Sequence, residues 1–147
     1  MEIVIVKKEQ LKRLLLAGVR IYGDLDFRDP NCPTEDAELE TFVNQLRKRH
    51  PRIARLFVHI PNEGKRNFDE VQILKRKGAL NEGAVDELIP GDVSFVGELK
   101  RQDHTLSAIS DAQIDYLITA HQAGAFAFVA LGWRWNWQAL EDWLALP

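Results

Sequence analysis

Hydrophobic and polar residues alternate along this chain at two different periods, and the switches between them mark out its elements. In GDVSFVGELKRQ, Gly91 to Gln102, Val93, Phe95, Gly97 and Leu99 alternate with Ser94, Val96, Glu98 and Lys100. That period of two predicts a half-buried β-strand. With VDELI before it and PGD between, it predicts a hairpin. EIVIV (2–6) and ARLFVHI (54–60) read as further strands, and AFAFVAL (125–131) as a buried one. Helical spacing runs through KKEQLKRLLLAG (7–18), whose leucines share one side and whose Gly18 lies near its end. A second helix starts after Thr34, a good N-cap, with acidic residues in its first turn and Leu39, Phe42, Val43 and Leu46 on one face. FDEVQILKRK (68–77), stopped by Gly78, SDAQIDYLITAHQAG (110–124) and WNWQALEDWLAL (135–146) complete the helices. VRIYGDLDF (19–27) fits either a strand pair or an irregular crossing, and PNEGKRN (61–67) a loop.

Strands and helices alternate without internal repeats, which predicts an α/β fold with a central mixed sheet flanked by helices. The Pro/Asn/Asp-rich break RDPNCPTED is the best boundary, dividing an N-terminal extension (1–33) from a domain over 34–147. At 147 residues, 46% hydrophobic and 28% charged, the composition is that of a globular domain with a real core. No apolar run is long enough to span a membrane, and MEIVIVKKEQ has its charges in the wrong order for a signal peptide. A cytoplasmic protein without a membrane partner is the expectation. Cys32 is the sole cysteine, so it forms no internal disulfide.

Charge changes the picture in one place. The net charge is −3, yet Arg47 to Lys77 holds ten Lys and Arg against three Asp and Glu. Such a segment is either a phosphate-binding face or a pair of solvated helix faces. Glu98 and Lys100 raise a second question, because they point to one side at the end of an apolar strand. A turn at Pro90-Gly91 sets Asp86 opposite residue 95 or 96, which makes Glu98 its diagonal neighbour. Two converging carboxylates repel unless a cation lies between them, and hard oxygen ligands suit Mg²⁺ or Mn²⁺. A lysine beside them is placed to counter charge on a reacting phosphate. The competing reading is an ordinary ion pair at a strand end.

Longer motifs favour the metal site. VHIPNEGKRN, ILKRKGALNEGAVDELI, FVGELKRQ and ISDAQIDYLITAHQAGA stand in order over a stretch that, from residue 34 to 145, resembles the virus-type replication-repair nuclease (VRR-NUC) domain. That family lies within the PD-(D/E)xK, restriction-endonuclease-like superfamily. The resemblance implies a metal-dependent DNA endonuclease, structure-selective for branched or flap DNA in replication, repair or phage DNA processing, and acting as a homodimer. It implies Asp86 and Glu98 as metal ligands, the Leu99 carbonyl as a further ligand, and Lys100 as the catalytic lysine. Gln113 matches the family's helix glutamine, which positions water or the lysine. Glu35 matches the early helical acid by its spacing to Phe42, Val43 and Leu46, with Glu38 one turn on as its substitute. Asn62, Lys65, Arg66 and Lys75 fall in a segment that lines the DNA side, and Arg76 and Lys77 extend its charge.

Departures from the family pattern are Glu63 in place of glycine, Val85 in place of proline, and an insertion within TLSAIS (105–110). Residues 1–33 have no counterpart, and suit a dimerisation or partner-binding arm. His50, His59, His104 and His121 lack zinc spacing, Gly64-Lys65 is no P-loop, and no nucleophile elbow occurs, so no nucleotide cofactor is expected. The four tryptophans (133, 135, 137, 143) suit core packing of the last helix, a dimer contact or base stacking. The alternative to a nuclease is a non-cleaving nucleic-acid-binding module or regulatory subunit, and RNA is the alternative substrate.

Overall fold

The computed structural model describes residues 8–60 and 85–147. The expected strand at 2–6, the loop at 61–67 and the helix at 68–77 lie outside the described residues. Five described strands form one mixed sheet in the order β1-β5-β4-β3-β2. These are β1 (Arg20–Tyr22), β2 (Val58–His59), β3 (Glu87–Ile89), β4 (Phe95–Lys100) and β5 (Phe126–Leu131). β4 and β1 flank β5 in parallel, while β3 pairs antiparallel with both β4 and β2. The helices are α1 (Lys8–Leu16), α2 (Glu35–Arg49), α3 (Pro51–Ala54), α4 (Asp111–Gln122) and α5 (Trp133–Leu144). The ambiguous segment 19–27 thus supplies an edge strand, and α1 and β1 of the N-terminal extension share the sheet and core with the rest.

Each strand face has its own helical cover. Phe126, Phe128 and Ala130 turn to a core with Phe42 and Leu46 of α2 and Leu140 of α5. Ala127, Val129 and Leu131 turn to one with Leu11 and Leu14 of α1 and Ile114 and Leu117 of α4. β4 next door is buried at all six positions, which corrects the expectation of a half-buried strand. Its polar alternate residues face the interior of the fold. Trp137 packs with Phe42 and His50, and the Trp143 indole donates to the Val93 carbonyl at 2.7 Å. Trp135 is the exposed one of the four, at 43%.

α2 and α4 begin where their sequences say they should. Thr34 Oγ1 accepts from Ala37 N, and Ser110 and Gln113 close a reciprocal capping box. α3 was not foreseen; it follows from Pro51 at a first helical position. Five basic residues on α2, on α3 and at the end of α3 (Arg47, Lys48, Arg49, Arg52, Arg55) are exposed, and no acid lies between residues 41 and 60.

One buried acid belongs to the scaffold. Glu87, fully buried on β3, accepts from Asn136 Nδ2 of α5 at 2.7 Å, while Glu87 Oε2 and Asn136 Oδ1 have no partner among the described residues. A neutral Glu87 carries a hydroxyl donor on one oxygen in place of a second unmet acceptor. Burial pushes the Glu87 pKa up to about 8, against the Asn136 hydrogen bond and with help from Asp86. The folded chain therefore keeps a proton that the unfolded chain loses above its ordinary value of 4.5. Stability contributed by the neutral acid is present below that value and is lost as pH rises towards 8. Glu87→Gln should flatten this slope and stabilise the fold by about 2 kcal/mol at neutral pH. Denaturant melts of both proteins at pH 5 and pH 8 measure it; equal slopes contradict it.

Candidate active site

The hairpin register brings the two carboxylates together. Glu87 pairs with Gly97 and Ile89 with Phe95, so the ladder continued by one residue puts Asp86 directly opposite Glu98. The expected diagonal placement is corrected, because residues 90–94 all belong to the connection, not only Pro90-Gly91-Asp92. Asp86 lies just before the first residue of β3, and its Oδ2 accepts the Leu99 N–H at 3.2 Å. This contact substitutes for a ladder bond and holds the carboxylate at the strand edge. The N–H and C=O of one strand residue point to the same neighbour, so the Leu99 carbonyl lies on this edge too.

Glu98 and Lys100 share the opposite face of β4 from Leu99 and are both deeply buried. Lys100 Nζ lies 3.5 Å from Glu98 Oε2 and 3.9 Å from Glu35 Oε1. Among the described residues neither oxygen of Glu98 meets hydrogen-bond geometry, and its close neighbours are the Lys100 ammonium and the Asp86 carboxylate. Burial first, then Asp86, drives the Glu98 pKa well above the carboxylate range, and Lys100 only partly opposes them. Burial alone lowers the Lys100 pKa, but Glu98, Glu35 and Asp86 together outweigh it and the net shift is upward. The site is therefore three acids around one ammonium, with too much negative charge for a closed ion-pair network.

The two helical acids differ in what they touch. Glu35 reaches Lys100, and its Oε2 accepts from Ser107 Oγ at 2.9 Å. Glu38 turns elsewhere: fully buried, it accepts from Gln102 Nε2 at 3.2 Å and from the backbone N–H of Trp133. It thereby caps α5, whose own N-cap is Gly132 and offers no side chain. A Cβ on Gly132 would lie 2.9 Å from Glu38 Oε2, so the close approach depends on glycine. Burial raises the Glu38 pKa against those hydrogen bonds.

Gln113 is not brought to Lys100 by any of the side-chain bonds described here. Its Oε1 accepts from Ser110 N at 2.9 Å and its own N–H donates to Ser110 Oγ, so it closes the α4 cap. Asn62, Lys65, Arg66, Lys75, Arg76 and Lys77 lie outside the described residues. Sequence reasoning missed Ser107 and Arg101, whose contacts with Glu35 and the start of α2 are long-range. A lone serine in a loop gives no signal of that kind.

The donor set fits a hard divalent cation. Among the described residues no three His, Cys, Asp or Glu side chains close into a metal cage. What converges is two carboxylates and a carbonyl edge, with Lys100 beside Glu98, which suits an ion that keeps waters and takes up a phosphate. Among the described residues no helix is long and apolar enough to cross a membrane.

No protein-family model and no curated protein matches the sequence. Among solved structures, a VRR_NUC domain protein superposes with a TM-score of 0.63 at 20% identity, covering 78% of this chain and 90% of that chain. The mixed five-stranded sheet with flanking helices is the architecture that the sequence motifs led one to expect. The chain has an α/β, VRR-NUC-like fold of the restriction-endonuclease-like type.

Proposed function

We propose that this chain is a Mg²⁺- or Mn²⁺-dependent nuclease that hydrolyses phosphodiester bonds in DNA. The observation that carries the reading is the fully buried Glu98, set opposite Asp86 and paired with a buried Lys100. A protein that only bound nucleic acid would gain nothing from aiming repelling carboxylates at a polyanion. Asp86, Glu98 and the Leu99 carbonyl would hold the ion, with Glu35 as a fourth donor. The ion, when bound, polarises the scissile phosphate and lowers the pKa of its water.

Lys100 is pre-set for its part. Its ammonium is fixed by Glu98 and Glu35 in a largely water-excluded position, where it meets charge growing on phosphate oxygens without reorganising. Gln113 sets the start of α4, and so the loop after Lys100, through its cap. The exposed arginines and lysine of α2 and α3 suit the DNA backbone, as do Asn62, Lys65, Arg66, Lys75, Arg76 and Lys77. Branched or flap DNA is the substrate form we assign. One site per chain makes a homodimer the acting form wherever two strands are cut.

The test is cleavage of a panel of DNAs (supercoiled, linear duplex, single-stranded, flap and four-way junction) with Mn²⁺, Mg²⁺ or EDTA. Wild type should cut with metal and not with EDTA. Asp86→Ala and Lys100→Ala should each lose about 10²-fold or more in rate. Failure to cut any of these with either metal, while DNA still binds, would move the reading to the binding module.

A further inference from the structure

Glu35 is partly exposed, with 31% of its side chain open to solvent, and its carboxylate is nevertheless held in one orientation. Two residues of the loop after β4 account for this. The Arg101 N–H donates to Ser107 Oγ at 2.9 Å, and that hydroxyl, its proton free to turn outward, donates to Glu35 Oε2 at 2.9 Å. Glu35 Oε1 is left facing Lys100. Ser107 is 3% exposed, so the bonds lie in a setting where they are worth more than in water. The Arg101 side chain works from the other side. Its Nη2 and Nε donate to the carbonyls of Cys32 and Pro33, just before the Thr34 cap of α2. The residue after Lys100 therefore fixes the start of the helix that carries Glu35.

The loop is itself anchored. Asp103 Oδ2 accepts the Asp29 N–H at 3.0 Å, and His104 Nε2 pairs with the Leu25 carbonyl at 3.2 Å. A short helical turn, His104–Leu106, presents Ser107 at its end. The insertion noted in TLSAIS thus delivers a hydroxyl to the site.

We propose that Ser107 is a positioning residue of the active site, orienting the Glu35 carboxylate towards Lys100 and towards a divalent ion held by Asp86 and Glu98. The inference rests on the nuclease reading for its kinetic consequence and on the metal site for its binding consequence. Groups that orient metal-site carboxylates this way are worth roughly 10–100-fold in affinity or activity when removed.

The experiment is a double-mutant cycle over wild type, Ser107→Ala, Glu35→Ala and the double variant. Ser107→Cys serves as a control that keeps the shape but has a weak donor. Two quantities are read: Mn²⁺ affinity by calorimetry without DNA, and kcat and KM for DNA cleavage. Ser107→Ala and Ser107→Cys should both lose about tenfold in Mn²⁺ affinity and in kcat, with KM for DNA unchanged. The double variant should be no worse than Glu35→Ala alone. Equal Mn²⁺ affinity and kcat in Ser107→Ala and wild type would overturn the proposal, as would additive losses in the double variant. If wild type binds Mn²⁺ with the non-additive pattern but cuts nothing, the positioning role stands and the nuclease reading falls. If wild type binds no Mn²⁺, both fall.

Discussion

Glu98→Gln should abolish DNA cleavage, by about 10³-fold or more, while leaving the metal-free protein as stable as wild type or more so. The reason is the charge count. Glu98 is fully buried, and burial and Asp86 work against its charge more than Lys100 favours it. Without an ion, an uncharged group of the same shape removes repulsion and leaves Lys100 its neighbours Glu35 and Asp86. A gain of about 1 kcal/mol is expected, or about 3 °C in Tm for a domain of this size. Binding sites that oppose stability in this way are familiar where function demands buried charge. Thermal melts in EDTA beside a plasmid-nicking assay measure both halves. A variant that melts many degrees lower would mean that Glu98 is structural, as half of an ion pair with Lys100.

Gly97→Ala should destabilise the fold by about 3 kcal/mol, enough to lower Tm by about 10 °C. A Cβ at Gly97 would stand 2.1 Å from Cζ of Phe128, its registered partner on β5. The ring cannot withdraw easily, since Phe128 is fully buried with Phe95 at 4.6 Å and Phe126 at 6.1 Å between ring centroids. Glycine is thus required for the aromatic to lie across the strand. Gly97 also precedes Glu98, so displacement of β4 disturbs the site. Gly97→Ala combined with Phe128→Leu should recover part of the loss, because the shorter side chain yields the space. A Gly97→Ala melt that overlays wild type contradicts this packing.

What the sequence made legible was local. The E-x-K strand, its hairpin partner and the Thr34 cap are each specified within about fifteen residues, and they form, although the strand is buried on both faces and the hairpin register differs from the one expected. Pairing of β1 with β5 joins residues more than a hundred apart, Arg20 with Phe128, and no local signal announces it. β4 read as half-buried because Glu98 and Lys100 occupy the polar phase of the alternation, and only the helices over that face show those positions to be interior. Glu35 and Glu38 are one turn apart on one helix, so periodicity alone leaves both in play. They are separated by what stands over each: Ser107 and Lys100 for one, Gln102 and the start of α5 for the other. Glu87 was passed over beside Asp86, although strand alternation turns it to the opposite face and into contact with Asn136.

The central claim is that Asp86 and Glu98 face each other to hold a divalent ion, and calorimetric titration of Mn²⁺ into the metal-free chain tests it most directly. Wild type should bind the ion, and Glu98→Gln, folded by circular dichroism, should bind it at least tenfold more weakly. Equal binding by both proteins, or none by wild type, would contradict the account.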